Sequence, residues 1–289
     1  MAQAPDIDSV VGFYETHPIN EEQILRKLAD RGVDLDTLTE TVLQEHDQDH
    51  FGGLAAVDAL AAAARIDSSC HVLDVCSGVG GPARYLAHNY RCRVTGLDIT
   101  ESRHVAAIRL TRLVGLSHFV DFRLGNALAM PFADAAFDVV IGEEAWAHIP
   151  DKPRLVGECA RVVKPGGRIA FTDIVRGGGL SEVEETRLRR EMTFLELASA
   201  DSYTRLLEAA GCHVVDSVDL GAPWTEILRQ RLEMYRGLKD TTVERFGEAH
   251  FRRWDDTYAF FVGLYGSGRL GGVRIVAERQ PSRKRSSSA

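Results

Sequence analysis

The sequence predicts an α/β fold built on a seven-stranded, mostly parallel sheet with helices on both faces, extended by N-terminal helices and a helical insert before the last strand. Three observations support this prediction. Short apolar segments alternate with helix-length segments between about residues 66 and 180. A glycine-rich turn follows the first apolar segment. Helical patterns at 1–65 and 223–268 flank the alternation, and a last strand is predicted at 269–280.

Composition limits the classes of function. The chain has 289 residues, of which 45% are hydrophobic and 26% charged, enough for one large core with appended regions. A net charge of −8 repels polyphosphate, so we expect no nucleic-acid partner. The five cysteines lack CxxC spacing, which indicates reduced thiols and a cytoplasmic location. We expect no membrane partner, because no stretch is long and apolar enough to span a bilayer and no signal-peptide pattern is present.

The first 65 residues are predicted to form a helical cap or lid. Asn20 is a plausible helix cap, and the apolar residues after it recur at helical spacing. A loop at 47–53 separates this part from an Ala-rich helix. His46 and His50 are four positions apart among acidic residues, which would suit a metal ion, but no third ligand is evident. We therefore predict no metal site.

The glycine-rich turn follows the apolar run 72–75. Glycines at 78, 80 and 81 permit positive φ angles and a close approach of a ligand to the backbone. Pro82 suits the first turn of the next helix. The N-terminus of that helix would present free N–H groups and a partial positive charge to the turn.

Different ligands are compatible with this turn. The spacing Gly78-x-Gly80-x-x-Ala83, with Asp98 about twenty residues after the glycines, fits a dinucleotide fingerprint. Asp74, placed on the strand just before the glycines, suits instead a ligand that carries an ammonium group. A tight turn without any ligand is the third alternative.

Polar residues follow the ends of the later strands. Further strands are predicted at 92–98, at 120–127 with its turn, at 137–142 and at 168–174, with helices at 101–115 and 152–163. Asp98, Asn126 and Glu143 fall at or just after strand ends, and the carboxyl ends of parallel strands form the ligand-binding edge of such sheets. The alternatives are that Asp98 caps a helix, beside a capping Thr100, and that Asn126 is a turn residue.

The last third contains two helices, a strand and the helical insert. Ser181 and Glu184 fit a capping box, a second helix is expected at 202–210, and a strand at 212–220. The insert is rich in aromatic residues, and three interpretations are open: they form core, they line a pocket for a second ligand, or they form a homodimer contact. Strand 270–277 follows, and the Ser-rich tail 281–289 is predicted to be disordered.

The motifs resemble those of class I S-adenosylmethionine-dependent methyltransferases, whose fold is Rossmann-like. The pattern Asp74-x-Cys76-x-Gly78-x-Gly80 resembles the first motif of that family, which usually has glycine where Cys76 stands. Segments 137–152 and 158–168 resemble its central and later motifs. The run Glu-Ala-Trp-Ala-His-Ile-Pro-Asp-Lys is most similar to the sarcosine and dimethylglycine N-methyltransferase group. The resemblance assigns 66–222 to the S-adenosylmethionine-binding core.

The resemblance implies S-adenosyl-L-methionine as cofactor, S-adenosyl-L-homocysteine as product, and roles for individual residues. The implied cofactor-binding residues are Asp74, Cys76, Ser77, Gly78, Gly80, Asp98, Ile99, Asn126, Ala127 and Glu143. Asp98 would accept hydrogen bonds from the ribose hydroxyls and Asn126 would reach the adenine amino group. Tyr14, His50 and Trp146 would contact the acceptor, with packing as the alternative for Trp146. His148 is the candidate for receiving a proton, or else a structural histidine.

The implied activity is methyl transfer to a small-molecule acceptor, with an amine nitrogen favoured. Methyltransferases of natural-product biosynthesis that act on oxygen or carbon are the first alternative. An NAD-dependent oxidoreductase and a non-catalytic cofactor-binding protein are further alternatives. The motifs fix the cofactor better than the acceptor.

Overall fold

The computed structural model describes residues 6–15, 17 and 19–281. Its strands are β1 (His71–Val75), β2 (Arg93–Asp98), β3 (Val120–Leu124), β4 (Phe137–Glu143), β5 (Val163–Arg176), β6 (Cys212–Asp219) and β7 (Leu270–Arg279). They form one sheet in the order β3-β2-β1-β4-β5-β7-β6. Strands β1 to β5 are parallel, and β7 runs antiparallel between β5 and β6. This topology confirms the predicted fold class.

Helices cover both faces of the sheet. They are α1 (Ile7–Glu15), α2 (Glu21–Asp30), α3 (Glu40–Leu43), α4 (Gly53–Ala64), α5 (Gly81–Tyr90), α6 (Glu101–Leu113), α7 (Lys152–Val162), α8 (Glu182–Met192), α9 (Ala200–Ala209), α10 (Gly221–Gly237), α11 (Lys239–Phe246) and α12 (Glu248–Gly266). Consecutive strand residues point to opposite faces, so Val72 and Leu73 belong to separate apolar clusters. A sheet buried on both faces explains why its strands read as continuous apolar runs.

Two predicted caps form and one does not. Ser181 and Glu184 make the expected capping box at the start of α8, and the Asn20 side chain accepts from Gln23 N at the start of α2. Thr100 stands at the N-cap of α6, but its side chain makes no capping hydrogen bond. The Asp98 carboxylate instead accepts from the Thr100 N–H.

Strand β5 is longer than predicted. It begins at Val163, opposite Phe137, and the register shifts before Arg168 pairs with Val139. The predicted strand began only at 168, because the Pro165-Gly166-Gly167 segment before it would usually interrupt a strand. The structure accommodates them in the irregular part of the pairing.

The helical insert, α10 to α12, packs at the end of the sheet. Trp224 and Phe261 pack in one apolar cluster with Ala147 and Phe194. These insert aromatics are therefore core residues, as one of the three interpretations expected. No helix among the described residues is long and apolar enough to cross a membrane. Residues 282–289 of the predicted tail lie outside the described part.

Candidate active site

A cavity lies at the carboxyl edge of the sheet, beside β1, β2 and β4. It holds about 1070 Å³ of empty space, including the space at its mouth. The predicted site residues that line it are Tyr14, His50, Asp74, Cys76, Ser77, Gly78, Asp98, Ile99, Asn126, Ala127, Glu143 and His148. The structure therefore brings most of the predicted site into one cavity, as expected for the carboxyl ends of parallel strands.

The glycine-rich turn has the left-handed backbone that its composition suggested. Cys76 has a φ of 67°, a region that costs a non-glycine residue roughly 1–2 kcal/mol. This angle explains why the resembling family usually has glycine there. Gly80, with a φ of 81°, caps α5 and does not line the cavity. A Cβ on Gly80 would lie 2.6 Å from the Phe122 ring, so packing requires a glycine here, and its predicted cofactor contact stays a prediction.

Asp98 holds the turn and the start of α6 together. One carboxylate oxygen accepts from Gly78 N at 2.8 Å, and the other accepts from Thr100 N at 2.8 Å. The helix-cap alternative is thus correct for one oxygen. Each carboxylate oxygen has a second acceptor direction. Asp98 can therefore serve the backbone and still accept from a ligand in the cavity.

Asn126 combines a turn role with its place in the lining. Its side-chain oxygen accepts from Leu128 N at 2.8 Å, the geometry of an Asx turn. The side-chain oxygen keeps a second acceptor direction and the NH₂ group keeps its donors, so both remain available to a ligand. The structure thus shows the turn role, and contact with a ligand stays a prediction.

Two buried carboxylates at the strand ends lack hydrogen-bond partners. Asp74 Oδ2 and both side-chain oxygens of Glu143 are buried without a partner. Burial, followed by the nearby Glu143 and Asp98 charges, raises the pKa of Asp74 well above its usual range. Burial likewise raises the pKa of Glu143 to about 8. Unpaired buried carboxylates are unfavourable, so this part of the cavity is suited to a cationic ligand.

Glu144 is a site residue that the sequence analysis missed. It lines the cavity, accepts from Phe51 N through Oε2, and accepts from the Thr172 hydroxyl at 3.0 Å through Oε1. Burial raises its pKa to about 8. Its position directly after Glu143 at a strand end was the available signal. Glu144 connects the loop before α4 to the sheet.

His50 lines the cavity next to Glu143. It is 3% exposed, and its Nδ1 lies 3.4 Å from Glu143 Oε2. Its Nε2 hydrogen bonds to the Gln48 side-chain oxygen at 2.9 Å. His46 instead hydrogen bonds to Arg31, so the two histidines considered for a metal site face different partners.

Tyr14 and His148 meet in the cavity although 134 positions separate them in the sequence. The Tyr14 hydroxyl lies 3.0 Å from His148 Nε2, and His148 Nδ1 lies 3.0 Å from the Thr193 carbonyl oxygen. Because a carbonyl oxygen only accepts, this network assigns the proton to Nδ1, and Nε2 accepts from Tyr14. Burial lowers the pKa of His148 to about 4, so the ring is neutral at pH 7.

Arg103 is a second residue that the sequence analysis missed. Its guanidinium lies 4.5 Å from the centre of the Tyr14 ring and donates to Asp49 at 3.2 Å and to the Ile19 carbonyl oxygen. Arg103 thus holds the N-terminal segment against α6. An arginine in an amphipathic helix gives no sequence signal for this contact.

Trp146 does not line the cavity, which corrects its prediction as an acceptor contact. It is 0% exposed and stacks on Phe171 with ring centroids 4.2 Å apart. Its ring edge lies against Gly142, where a Cβ would be 2.3 Å from the indole nitrogen. The structure therefore favours the packing alternative: Gly142 of β4 leaves space for the Trp146 ring, which stacks on Phe171 of β5.

Comparisons with known proteins identify the domain that carries this cavity. Residues 73–171 match the family model described as a methyltransferase domain. These residues form a methyltransferase domain. The match confirms the methyltransferase domain predicted from the motifs and S-adenosylmethionine as the cofactor of this domain class. The cavity draws on the methyltransferase domain for its glycine turn, strand ends and His148.

Curated relatives match more than half of the chain. The chain is 35% identical over 161 residues to methyltransferase GfsG of Streptomyces halstedii, covering 54% of this chain and 58% of that protein. It is 32% identical over 164 residues to the glycine/sarcosine/dimethylglycine N-methyltransferase of Actinopolyspora halophila, covering 57% of this chain and 29% of that protein. The chain thus spans 58% and 29% of the length of these two relatives.

Solved structures share the fold of most of the chain. A putative sarcosine dimethylglycine methyltransferase from Galdieria sulphuraria has a TM-score of 0.72 at 17% identity and covers 90% of this chain and 98% of its own. Haemonchus contortus phosphoethanolamine N-methyltransferase 2, in complex with S-adenosyl-L-methionine, has a TM-score of 0.74 at 18% identity, with 93% and 60% covered. At these identities the likeness shows the fold alone.

Proposed function

We propose that the protein transfers a methyl group from S-adenosylmethionine to a small molecule, at an amine nitrogen. The observation that carries the proposal is the group of buried carboxylate oxygens without hydrogen-bond partners, Asp74 Oδ2 and both oxygens of Glu143, beside the glycine turn of the methyltransferase domain. Those carboxylates fit a cofactor that carries both an ammonium group and a sulfonium centre. A dinucleotide would instead bring its pyrophosphate toward these acids, which is unfavourable.

The cofactor would lie along the strand ends. Asp98 retains an acceptor direction for ribose hydroxyls, Ile99 would lie against the adenine, and Asn126 would reach the adenine amino group through its side-chain oxygen. Asp74 and Glu143 would take the ammonium end. When bound, S-adenosylmethionine supplies an electrophilic methyl group on sulfur. The contribution of the chain is to align donor and acceptor and to exclude water.

The acceptor would occupy the part of the cavity between Tyr14 and the apolar residues around it. Ile7 and Val10 from α1, with Ile149 and Pro150 after β4, form apolar walls. Such walls with few polar groups are typical of ligand pockets. The Tyr14 oxygen donates its proton to His148 and keeps acceptor capacity for an amine N–H. It can thereby orient the nitrogen lone pair toward the cofactor.

The protonation of His148 favours nitrogen over oxygen as the methylated atom. A neutral amine attacks through its lone pair and loses any proton on that nitrogen only after the N–C bond forms. An alcohol must lose its proton as it attacks, which calls for a base with a pKa near the working pH. His148, with a pKa lowered to about 4, is too weak a base for that step. Glu143 and Glu144 have pKa values of about 8, but Glu143 is assigned to the cofactor and Glu144 already accepts from Phe51 N and the Thr172 hydroxyl. Methylation at oxygen is therefore the less favoured alternative.

The charge of the lining favours an acceptor without a phosphate group. The lining carboxylates belong to Asp47, Asp49, Asp74, Asp98, Glu143 and Glu144. Arg103, the one arginine among the lining residues described, already pairs with Asp49. A phosphate would find no unpaired arginine or lysine among the described lining residues, whereas an amine end would find carboxyl groups that can accept its N–H bonds.

The N-terminal residues 1–65 are inferred to act as a lid and partial wall of the site. Tyr14 and His50 reach the cavity from this part of the chain. Cytoplasmic location, a homodimer and the absence of a nucleic-acid partner stay predictions.

Mass spectrometry can test the proposed activity. The protein is incubated with S-adenosylmethionine carrying a trideuterated methyl group and, separately, with sarcosine, dimethylglycine or phosphoethanolamine. We expect labelled methyl on an amine nitrogen, with phosphoethanolamine the poorest acceptor. A metabolite extract widens the search if none of the three is methylated. Binding of NAD without binding of S-adenosylmethionine or S-adenosylhomocysteine in calorimetry would contradict the proposal.

A further inference from the structure

The helical insert affects the cavity without lining it. Among the described lining residues, none belongs to α10, α11 or α12. The expectation that insert aromatics wall an acceptor pocket is therefore wrong for the described residues. The insert instead contacts the segment His50–Phe51, and His50 does line the cavity.

Arg231 on α10 is the centre of this contact. Its guanidinium donates to the His50 carbonyl oxygen at 3.0 Å and lies 5.0 Å from the centre of the Phe51 ring. The Phe51 ring in turn meets Trp224 of α10 edge-on, with centroids 5.1 Å apart. One arginine thus makes a charge-assisted hydrogen bond and a cation–π contact with consecutive residues.

The same segment connects to the buried acids of the site. Phe51 N donates to Glu144, and the His50 ring lies 3.4 Å from Glu143. The backbone position of His50–Phe51 therefore determines how His50 meets Glu143. Arg231 and Glu144 thus both hold this short segment, through the His50 carbonyl oxygen and Phe51 N.

We propose that Arg231 is a positioning residue for cofactor binding: it holds His50–Phe51 so that His50 stays beside Glu143 at the end of the cavity. This inference rests on the proposed function, because it takes S-adenosylmethionine as the ligand of Glu143. The insert acts on the site through the two contacts of Arg231 rather than through a wall of its own. Interactions relayed through packed side chains typically alter a distant site by several-fold in affinity.

The test replaces Arg231 by methionine, which keeps an unbranched side chain and removes both contacts. Arg229→Met is the matched control, because Arg229 is exposed on the same helix and pairs only within its own turn with Glu226. Calorimetry gives the dissociation constant for S-adenosylmethionine, and thermal melting without ligand gives stability. We expect binding to weaken about fivefold or more in R231M and to stay unchanged in R229M.

Arg231→Lys separates positioning from simple destabilisation. Lysine keeps a cationic donor on a flexible stem, so it should recover part of the lost affinity. If R231M melts at a lower temperature but binds S-adenosylmethionine like the wild type, Arg231 is structural only and the inference is overturned. An equal loss in R229M would overturn it as well. Failure of the wild type to bind S-adenosylmethionine would instead contradict the proposed function.

Discussion

Replacing Glu143 by glutamine tests the central electrostatic argument for cofactor binding. In the free protein Glu143 is buried without a hydrogen-bond partner, and its pKa is raised to about 8. A cation beside it would favour the carboxylate form and lower that pKa. Binding of S-adenosylmethionine should therefore release a proton from Glu143, and glutamine has no such proton to release.

The expected proton release and change in affinity follow from the pKa of Glu143. At pH 7 a carboxyl group with a pKa of about 8 is roughly nine-tenths protonated. Binding at pH 7 should then release roughly 0.9 proton more in the wild type than in the glutamine variant. Affinity at pH 7 should be about tenfold, or 1.4 kcal/mol, below its value well above pH 8. It should fall further toward pH 6, and the variant should lack this part of the pH dependence.

The raised pKa of Glu143 also makes the stability of the ligand-free protein depend on pH. Folding takes up a proton at Glu143, so its stabilising contribution is complete below about pH 4.5 and is lost as the pH rises through about 8. Between pH 6 and pH 8 the wild type should therefore lose more stability than E143Q.

Calorimetry in phosphate and in Tris buffer at one pH yields the number of protons released. His50, Asp74, Glu144 and Asp98 face the same region, and comparing wild type with E143Q removes their common contribution. Identical proton release in the two proteins would refute the reasoning about Glu143. An affinity in the variant equal to that of wild type across pH 6–8 would refute it as well.

Further predictions address the other parts of the cavity. Asp98→Ala removes two charge-assisted hydrogen bonds to backbone N–H groups, and we expect at least a tenfold loss of S-adenosylmethionine affinity by calorimetry together with a lower melting temperature. Tyr14→Phe leaves His148 Nε2 unpaired, so turnover should fall at least about tenfold while cofactor affinity stays nearly unchanged. Unaltered turnover would show that Tyr14 has no part in methyl transfer. Because Trp146 is a core residue, Trp146→Ala should lower the free energy of unfolding, measured by urea denaturation, by about 3–5 kcal/mol. A small change would contradict its assignment to the core. Deleting residues 1–18 should leave cofactor affinity within a few-fold and abolish turnover, measured by methyl incorporation, because the site stays open to water.

The sequence was sufficient for the features that depend on local chemistry. Apolar runs, the glycine turn and the polar residues after strand ends predicted the sheet and the edge at which the cavity lies. The capping box at Ser181 formed because its two hydrogen bonds need only neighbouring residues. Asp98 and Glu143 were placed correctly in the cavity because strand ends meet at one edge whatever the helices do.

Contacts between distant segments could not be read from local patterns. Trp146 and Gly80 both lie in motifs that predicted a ligand contact. In the structure Trp146 stacks on Phe171, and the absence of a side chain at Gly80 leaves room for the Phe122 ring. Arg103 gave no signal, because its partners come from an N-terminal segment whose docking no periodicity reveals. The start of β5 was missed since its pairing tolerates a register shift.

The cavity is built from two parts of the chain that differ in their relation to the sheet. Tyr14 and His50 precede the first strand, whereas Asp74 and Asp98 are fixed by strand ends. On the proposed arrangement, sequence change in the first fifty residues would alter which acceptor fits while the framework that holds the cofactor stays intact. The N-terminal segment would then be an exchangeable module, and grafting it between relatives would test whether it carries acceptor specificity.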